Sequence, residues 1–233
     1  MSLQRKLAII DLSIGKVETK RIPPEIRAKF IGGRGLDAYL LYNHLPDHCD
    51  PLGPDNVLII SAGFLGGLPA SGSGRGHVMA KSPLTGFLGS SNIGGQFAPE
   101  LRFAGYDHLI IKGRAATPSY LSINNENIEI KDASRLWGLA VVETQDFIRK
   151  ERGDENVQSV CIGQGGEKLV RFATIMTGFK GAAGRTGMGA VMGSKNLKAI
   201  AARGTMGITI ADPQRALEYN KEMIKQVMST KVA

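Results

Sequence analysis

Two segments of the chain combine many glycines with basic side chains and contain no Asp or Glu. Residues 61–95 hold ten glycines and include Arg75, and residues 178–193 hold six glycines and include Lys180 and Arg185. Glycine lets backbone N–H groups converge on a ligand because no Cβ intervenes, and the lack of carboxylates keeps the local electrostatic potential positive. Both segments are therefore candidate phosphate-binding loops.

The positive charge of the chain is concentrated around the second segment. The sequence carries 29 Lys and Arg against 21 Asp and Glu, a formal net charge of +8. Residues 157–207 contribute +6 of this charge, because seven basic side chains stand against the single acidic Glu167. The same pattern is also typical of tight turns and of a solvated basic face, so a purely structural interpretation stays open.

A nucleotide-phosphate site is one alternative for these loops. Gly187, Gly189 and Gly193 resemble the glycine pattern of a dinucleotide-binding turn, but the acidic ribose partner expected about 20 residues later is missing, since the next acid is Asp212. Residues 163–168 lack the Gly-Lys-Ser/Thr ending of a P-loop. This alternative therefore depends on the glycines alone.

A basic structural or interaction module without a cofactor is the second alternative. Nucleic acid is not expected as a partner, because base stacking needs clustered aromatic side chains and only 6% of the residues are aromatic. His77 and His108 each stand alone in the sequence, which favours core or surface histidines over ligands. No catalytic residue is predicted, because no nucleophile–base pair can be assembled.

Length and composition describe a globular chain. The 233 residues, 42% of them hydrophobic, can bury a sizeable core without disulfides. Cys49 and Cys161 lie far apart, so the sequence shows no cysteine pattern of an iron–sulfur or zinc site. No stretch of the sequence comes near the ~18 consecutive uncharged apolar residues that a membrane-spanning helix needs. We expect a soluble, cytoplasmic protein with no membrane partner.

Hydrophobic periodicity and turn residues predict both strands and helices. A β-hairpin is expected over residues 6–22, followed by a helix opening at Pro24 and a second helix ending before Pro46. A later helix is predicted at residues 140–152, and strands are predicted at residues 57–60, 109–111, 120–123, 128–130, 160–162, 172–175 and 199–201.

The last predicted helix begins with Asp212 as N-cap and Pro213 at its first position. Its apolar stripe has no later element to pack against, and the residues before it resemble a linker. We therefore predict a first domain at residues 1–207, and a linker with the first helix of a second domain at residues 208–233.

Four motifs resemble the N-terminal domain of the tungsten-containing aldehyde:ferredoxin oxidoreductases in order and spacing. They are Gly-Gly-Arg-Gly at 32–35, Lys-Ser-Pro-Leu-Thr-Gly-Phe at 81–87, Phe-Ala-Gly-Tyr-Asp at 103–107 and Ala-Gly-Arg-Thr-Gly-Met-Gly-Ala-Val-Met-Gly-Ser-Lys-Asn-Leu-Lys-Ala-Ile at 183–200. The resemblance implies an α+β fold in which two β-sheets form a layered cofactor-base domain with flanking helices.

The resemblance also implies a function and a cofactor. The parent reaction would be oxidation of an aldehyde to a carboxylic acid, with ferredoxin as electron acceptor. The cofactor would be a bis-pterin that holds tungsten or molybdenum, with Mg²⁺ bridging the two pterin phosphates. Related tungsten enzymes that reduce aromatic thioesters share this kind of domain, so the reaction stays open within the family.

Six positions would contact the pterin cofactor by this resemblance, and the backbone carbonyls of Asn92 and Ala182 would also lie near the Mg²⁺. The six are Arg75, Asn92, Gly94, Ala182, Gly184 and Arg185. One position departs from the family: where relatives often carry an arginine before the Ala-Ala-Gly-Arg run, this sequence has Gly181 preceded by Lys180.

The resemblance further implies a 4Fe–4S cluster in the parent enzyme, but not on this chain, whose cysteines do not match the cluster motif. The chain alone is therefore expected to be catalytically incomplete. Its expected partners are the remaining domains or a further subunit, ferredoxin through the complete enzyme, an aldehyde substrate and a second copy in a homodimer.

Overall fold

The computed structural model describes residues 6–230 of the chain. Six strands of the first part form one sheet: β1 (Lys6–Asp11), β2 (Lys16–Arg21), β3 (Leu58–Ala62), β4 (Gly76–Lys81), β5 (Leu88–Ile93) and β6 (His108–Lys112). The order across this sheet is β2-β1-β6-β3-β4-β5. β1 and β6 pair in parallel, and the other neighbours are antiparallel.

Six later strands form the second sheet: β7 (Ser119–Asn124), β8 (Asn127–Asp132), β9 (Gln158–Cys161), β10 (Ile175–Thr177), β11 (Gly181–Ala183) and β12 (Leu197–Arg203). Their order is β8-β7-β12-β9-β10-β11. β7 and β12 pair in parallel, and the remaining pairs are antiparallel. The predicted α+β fold with two β-sheets is thus confirmed.

Seven helices flank or join these sheets. They are α1 (Pro24–Phe30), α2 (Gly33–His44), α3 (Phe97–Phe103), α4 (Val141–Arg152), α5 (Gln164–Glu167), α6 (Met188–Ser194) and α7 (Pro213–Ser229) within the described residues.

The two sheets share one topology. Counted from its own first strand, each sheet has the order 2-1-6-3-4-5, and in each the parallel pair joins the first and sixth strands. We call residues 6–112 the first repeat and residues 119–203 the second repeat. β5 and β11 hold equivalent edge positions in the two repeats, and these two strands contact each other.

One apolar core is shared by the two sheets. Alternate residues of the central strands, such as Ile60 of β3 and Ile200 of β12, pack into it together with Phe97 of α3 and Met188 of α6. The opposite face of the first sheet packs against α1 and α2, and the opposite face of the second sheet packs against α4. This layering follows from the two-residue period of a strand, which sends neighbouring side chains to opposite faces.

Most of the predicted elements are present, with two clear exceptions. The N-terminal hairpin, the helix at 140–152 and the helix capped by Asp212 are confirmed. The strand expected at residues 172–175 is wrong except for its last residue, because β10 begins only at Ile175. The segment at residues 61–95 was expected to consist of loops, and it contains the strands β4 and β5.

The last helix, α7, lies at the surface, and none of its described residues is buried. The side chain of Asn220 accepts a hydrogen bond from the backbone N–H of Ser71 at 3.1 Å. The proposed boundary between residues 207 and 208 stays a prediction, and residues 1–5 and 231–233 lie outside the described range. Across residues 6–230, no helix combines the length and apolar character needed to cross a membrane.

Candidate cofactor-binding site

The first glycine-rich segment forms a hairpin whose open end carries two of the predicted site residues. Gly76 at the start of β4 pairs with Ile93 at the end of β5. Arg75 and Gly94, which immediately precede and follow these two residues, therefore lie at the same end of the hairpin. The side chain of Arg75 is exposed there. This end of the first sheet offers a cation beside glycine backbone.

The second glycine-rich segment begins in the β10–β11 hairpin, which lies against β5. The backbone N–H of Arg185 donates to Oγ of Ser91 at 3.3 Å. A Cβ placed on Gly181 would lie 2.5 Å from Cγ2 of Thr177 and 3.5 Å from the carbonyl oxygen of Gly94. This crowding gives a steric reason for glycine at position 181.

The later glycines of the second segment serve packing instead. Every residue of α6 is buried. A Cβ on Gly187 would lie 2.0 Å from the carbonyl oxygen of Arg171, and a Cβ on Gly193 would lie 2.0 Å from that of Gly166. A side chain at position 187 or 193 would therefore require the backbone to move. The structural interpretation of the glycines therefore holds for this part of the segment.

A cleft of about 760 Å³ opens where the two segments meet. We call it the cofactor cleft. Of the six predicted contacts, it includes Arg75, Gly94 and Ala182, and Lys180 provides a second cation. None of its lining residues is acidic. The lining is formed by Gly72, Gly74, Arg75, Gly94, Gly95, Thr177, Gly178, Phe179, Lys180, Gly181 and Ala182.

The chemistry of this lining fits a ligand that carries phosphate groups. Positions corresponding to the Cβ of Gly72, Gly94 and Gly178 have no atom within 4 Å, so side chains there would take up open space beside the cleft. Backbone N–H groups and two basic side chains are the donors that phosphate oxygens accept. Arginine can also hold a phosphate with two parallel hydrogen bonds.

The remaining predicted contacts flank the cleft without lining it. Asn92 is exposed two residues before Gly94, and Gly184 and Arg185 are exposed just after Ala182. Their contacts with a cofactor, and the Mg²⁺ near the carbonyls of Asn92 and Ala182, stay predictions. Among residues 6–230, no three His, Cys, Asp or Glu side chains are grouped as metal ligands.

Sequence reasoning missed a buried polar cluster beneath the first sheet. Both carboxylate oxygens of Asp37, on α2, accept hydrogen bonds: Oδ2 from Ser61 Oγ at 2.6 Å and His77 Nδ1 at 2.7 Å, and Oδ1 from His108 Nδ1 at 2.8 Å. All four residues are buried. His77 and His108 are therefore core histidines, as expected, and they share one carboxylate, which the sequence did not indicate.

Strand register places this cluster in one row with a predicted site residue. Ser61 on β3 is the register partner of both His108 on β6 and His77 on β4, and His77 is the register partner of Asn92 on β5. Residues directly opposite on neighbouring strands project from the same face of a sheet. The row therefore runs from the buried cluster to the exposed edge beside the cofactor cleft.

Burial and hydrogen bonding together determine the pKa of Asp37. Burial alone would raise the pKa of Asp37, but hydrogen bonds from His108, His77 and Ser61 outweigh it and hold this pKa below its ordinary value. His77 Nε2 lies 2.9 Å from Ser90 Oγ on β5. His108 Nε2 is buried and has no hydrogen-bond partner among the described residues. Within residues 6–230, His77 thus links Asp37 onward to β5, whereas His108 does not.

Comparisons with known proteins agree with this architecture. A tungsten-containing aldehyde ferredoxin oxidoreductase of Pyrococcus furiosus is 47% identical over 96% of this chain and 37% of its own length. An aliphatic sulfonate oxidoreductase, WOR-like subunit, of the same organism is 38% identical over 96% of this chain and 38% of its own length. The chain thus spans little more than a third of these relatives.

A solved structure has the same fold. The active-site complex BamBC of benzoyl coenzyme A reductase, with bound 1,5-dienoyl-CoA, contains a chain that superposes with a TM-score of 0.93 at 38% identity. The match covers 96% of this chain and 34% of that one. Residues 7–204 also match the family described as aldehyde ferredoxin oxidoreductase, N-terminal domain. The chain therefore belongs to the aldehyde ferredoxin oxidoreductase family, as its N-terminal domain.

Proposed function

We propose that this chain is the cofactor-base domain of a tungstopterin oxidoreductase and that the cofactor cleft binds a bis-pterin through its phosphates. The observation that carries the proposal is the cleft, which is basic, free of acids and built from glycine backbone. It lies where β5 and β11 meet, at equivalent edges of the two repeats. A site made from two like halves suits a ligand made from two like pterins.

Each predicted contact has a definite role in this proposal. Arg75 and Arg185 donate hydrogen bonds to phosphate oxygens or pterin edges, and Asn92, Gly94, Ala182 and Gly184 contribute backbone groups. The carbonyl oxygens of Asn92 and Ala182 would be hard ligands for Mg²⁺, which keeps several of its waters. Lys180 lines the cleft, and it supplies a second positive charge for the phosphates.

The proposed parent reaction converts an aldehyde and water into a carboxylic acid, two protons and two electrons, and the electrons pass to ferredoxin. The bound metal–pterin group supplies the redox chemistry. The residues of this chain hold and orient that group and neutralise its phosphate charge. A 4Fe–4S cluster would be held elsewhere in the enzyme, since Cys49 and Cys161 are buried single cysteines.

The partners in this proposal are the remaining domains or a further subunit, ferredoxin, an aldehyde and a second copy of the chain. Support for the remaining domains or a further subunit comes from the relatives, which are more than twice as long as this chain. Exposed apolar side chains on α7, including Leu217, Ile224 and Val227, offer a surface for such a partner.

A second candidate is a subunit of an enzyme that reduces an aromatic coenzyme A thioester. The likeness to the BamBC complex, with a TM-score of 0.93, favours it. Both candidates use the same cleft and the same cofactor. They are separated by assaying the complete enzyme with aldehydes and with aromatic coenzyme A thioesters.

The experiment that tests the proposal is production of this chain together with the missing part of the enzyme in an anaerobic host. Tungsten and molybdenum are measured by mass spectrometry, and pterin by its fluorescence after oxidation. We expect two pterins for each tungsten or molybdenum ion. A folded, complete enzyme that contains no pterin would contradict the proposal.

A further inference from the structure

We propose that Asp37, acting through His77, positions the first-repeat half of the cofactor cleft. Asp37 and His77 are positioning residues in this proposal, since neither lines the cleft. The inference rests on the proposed function for its ligand. Its structural part concerns this chain's own strands, so it can be tested without a cofactor.

A continuous path of contacts runs from Asp37 to β5. Asp37 Oδ2 accepts from His77 Nδ1 at 2.7 Å, and His77 Nε2 lies 2.9 Å from Ser90 Oγ. Ser90 lies two residues before Asn92 on the same face of β5. Because β5 is the edge strand of its sheet and pairs there with β4 alone, this side-chain path holds it from a second direction.

His77 lies near the start of β4. It is the second residue of the strand, and Arg75 immediately precedes the strand. Its register partner is Asn92. One imidazole therefore lies between the buried carboxylate and the two places where the first repeat reaches the cofactor cleft. Fixing this ring fixes the start of β4 and the end of β5 relative to α2.

Residues 119–203 contain no histidine, so the second repeat has no counterpart of the Asp37–His77 pair. There α4 packs on the outer face of the sheet, and Gln145 donates to Sγ of Cys161 on β9 at 3.7 Å. Both groups are neutral and the contact is long. The second sheet has its own ion pair, between the buried Lys198 of β12 and Glu167 of α5, so the two halves of the cleft are supported by different side chains.

His108 provides a matched control within the same cluster. His77 and His108 both present Nδ1 to Asp37, at 2.7 and 2.8 Å, and both are buried. His108 lies on β6, and its Nε2 contacts no polar partner among the described residues. Replacement of either histidine by leucine removes one hydrogen bond to the same carboxylate, but only His77→Leu breaks the path to β5.

The test compares His77→Leu, His108→Leu and His77→Asn with the wild type. Hydrogen exchange is measured on the chain without cofactor at residues 74–78 and 89–95, and pterin content is measured in the complete enzyme at limiting cofactor supply. For His77→Leu we expect faster exchange in both segments and a loss of pterin on the order of tenfold. For His77→Asn, whose amide can replace Nδ1 as donor, we expect partial recovery.

The outcomes separate this inference from the proposed function. It is supported if both leucine variants lower the melting temperature similarly while only His77→Leu speeds exchange at residues 89–95. Equal exchange in the two leucine variants overturns it, whether or not cofactor is bound. A wild-type enzyme without pterin, in contrast, overturns the proposed function and leaves the exchange comparison decisive for the positioning role of Asp37.

Discussion

The backbone N–H of Arg185 donates to the hydroxyl of Ser91 across 3.3 Å, and this contact joins the two glycine-rich segments. Ser91 lies on β5, directly before Asn92, whereas Arg185 follows the end of β11. A contact that pairs the edges of two sheets also fixes how far apart the two loops stand. The dimensions of the cofactor cleft therefore depend on where the sheets meet.

Loss of either arginine should weaken cofactor binding. Arg75→Ala and Arg185→Ala should each cost about 1.5–3 kcal/mol of binding free energy, because each removes hydrogen bonds to a charged group. Pterin and metal content of the complete enzyme provide the measurement. Arg135→Ala, an exposed arginine just after the edge strand farthest from β11, is the control and should load normally. Normal loading in both test variants would remove these residues from the site.

Gly181→Ala should destabilise the chain for a steric reason. Its Cβ would lie 2.5 Å from Cγ2 of Thr177 and 2.9 Å from the Thr177 carbonyl oxygen. Overpacking of this kind costs about 1–3 kcal/mol. Denaturant unfolding measures the effect, and Thr177→Ser in the same chain should recover part of it because Cγ2 is removed.

A nearby glycine supplies the control for that substitution. A Cβ on Gly184 has its nearest contact, with Cβ of Ala182, at 4.0 Å. Gly184→Ala should therefore change the free energy of unfolding much less than Gly181→Ala. Equal effects of the two substitutions would show that crowding at Thr177 is not the cause.

Stability should rise with pH because of one buried lysine. The Lys195 ammonium donates to the carbonyl oxygens of Pro54, Asn56 and Gly113. Burial, with repulsion from Arg114, lowers the pKa of Lys195 from 10.5 to about 8. Between these values the unfolded chain binds more protons than the folded one, so the free energy of unfolding increases with pH.

The corresponding measurement is urea unfolding of the wild type and Lys195→Met from about pH 7 to about pH 10. Relative to the variant, the wild type should gain stability above pH 8, with a slope of at most about 1.4 kcal/mol per pH unit. Parallel curves for the two proteins would contradict a lowered pKa at Lys195.

Cys161 should resist alkylation in the folded chain. Burial raises the pKa of its thiol to about 11, although a hydrogen bond from Gln145 opposes the shift. The thiolate is the nucleophile, so little of the reactive form exists near neutral pH. Peptide mass spectrometry after iodoacetamide treatment should show slower labelling of Cys161 than of Cys49, and labelling of both in urea. Equal native rates would contradict this.

Local signals in the sequence predicted the elements that depend on local chemistry. Asp212 caps α7 through a hydrogen bond from the backbone N–H of Arg215 at 2.9 Å, as its position before Pro213 indicates. The β1–β2 hairpin follows from two strand-forming runs around a short turn. In contrast, β4 is buried on both faces and has no alternating pattern. Its glycine and histidine therefore gave no strand signal.

The candidate site was predicted by residue type, and its geometry was not. Counting glycines and charges indicated both segments, and Arg75, Gly94 and Ala182 do line one cleft. The same counting could not separate the glycines of the cleft from those that pack α6. The Asp37 cluster needs the order β6-β3-β4 across the sheet, because its members are up to 71 positions apart in the chain. A local sequence pattern does not specify the order of strands across a sheet.

The repeated topology also has a kinetic consequence. Each repeat is closed by pairing its first strand with its last, as Leu7 pairs with His108 and Ser119 pairs with Leu197. Such distant pairings delay folding, because the chain loses loop entropy before the contact forms. Every strand ladder lies within one repeat, but the apolar core belongs to both. We expect each sheet to close slowly and the two halves then to dock, so the cleft forms last.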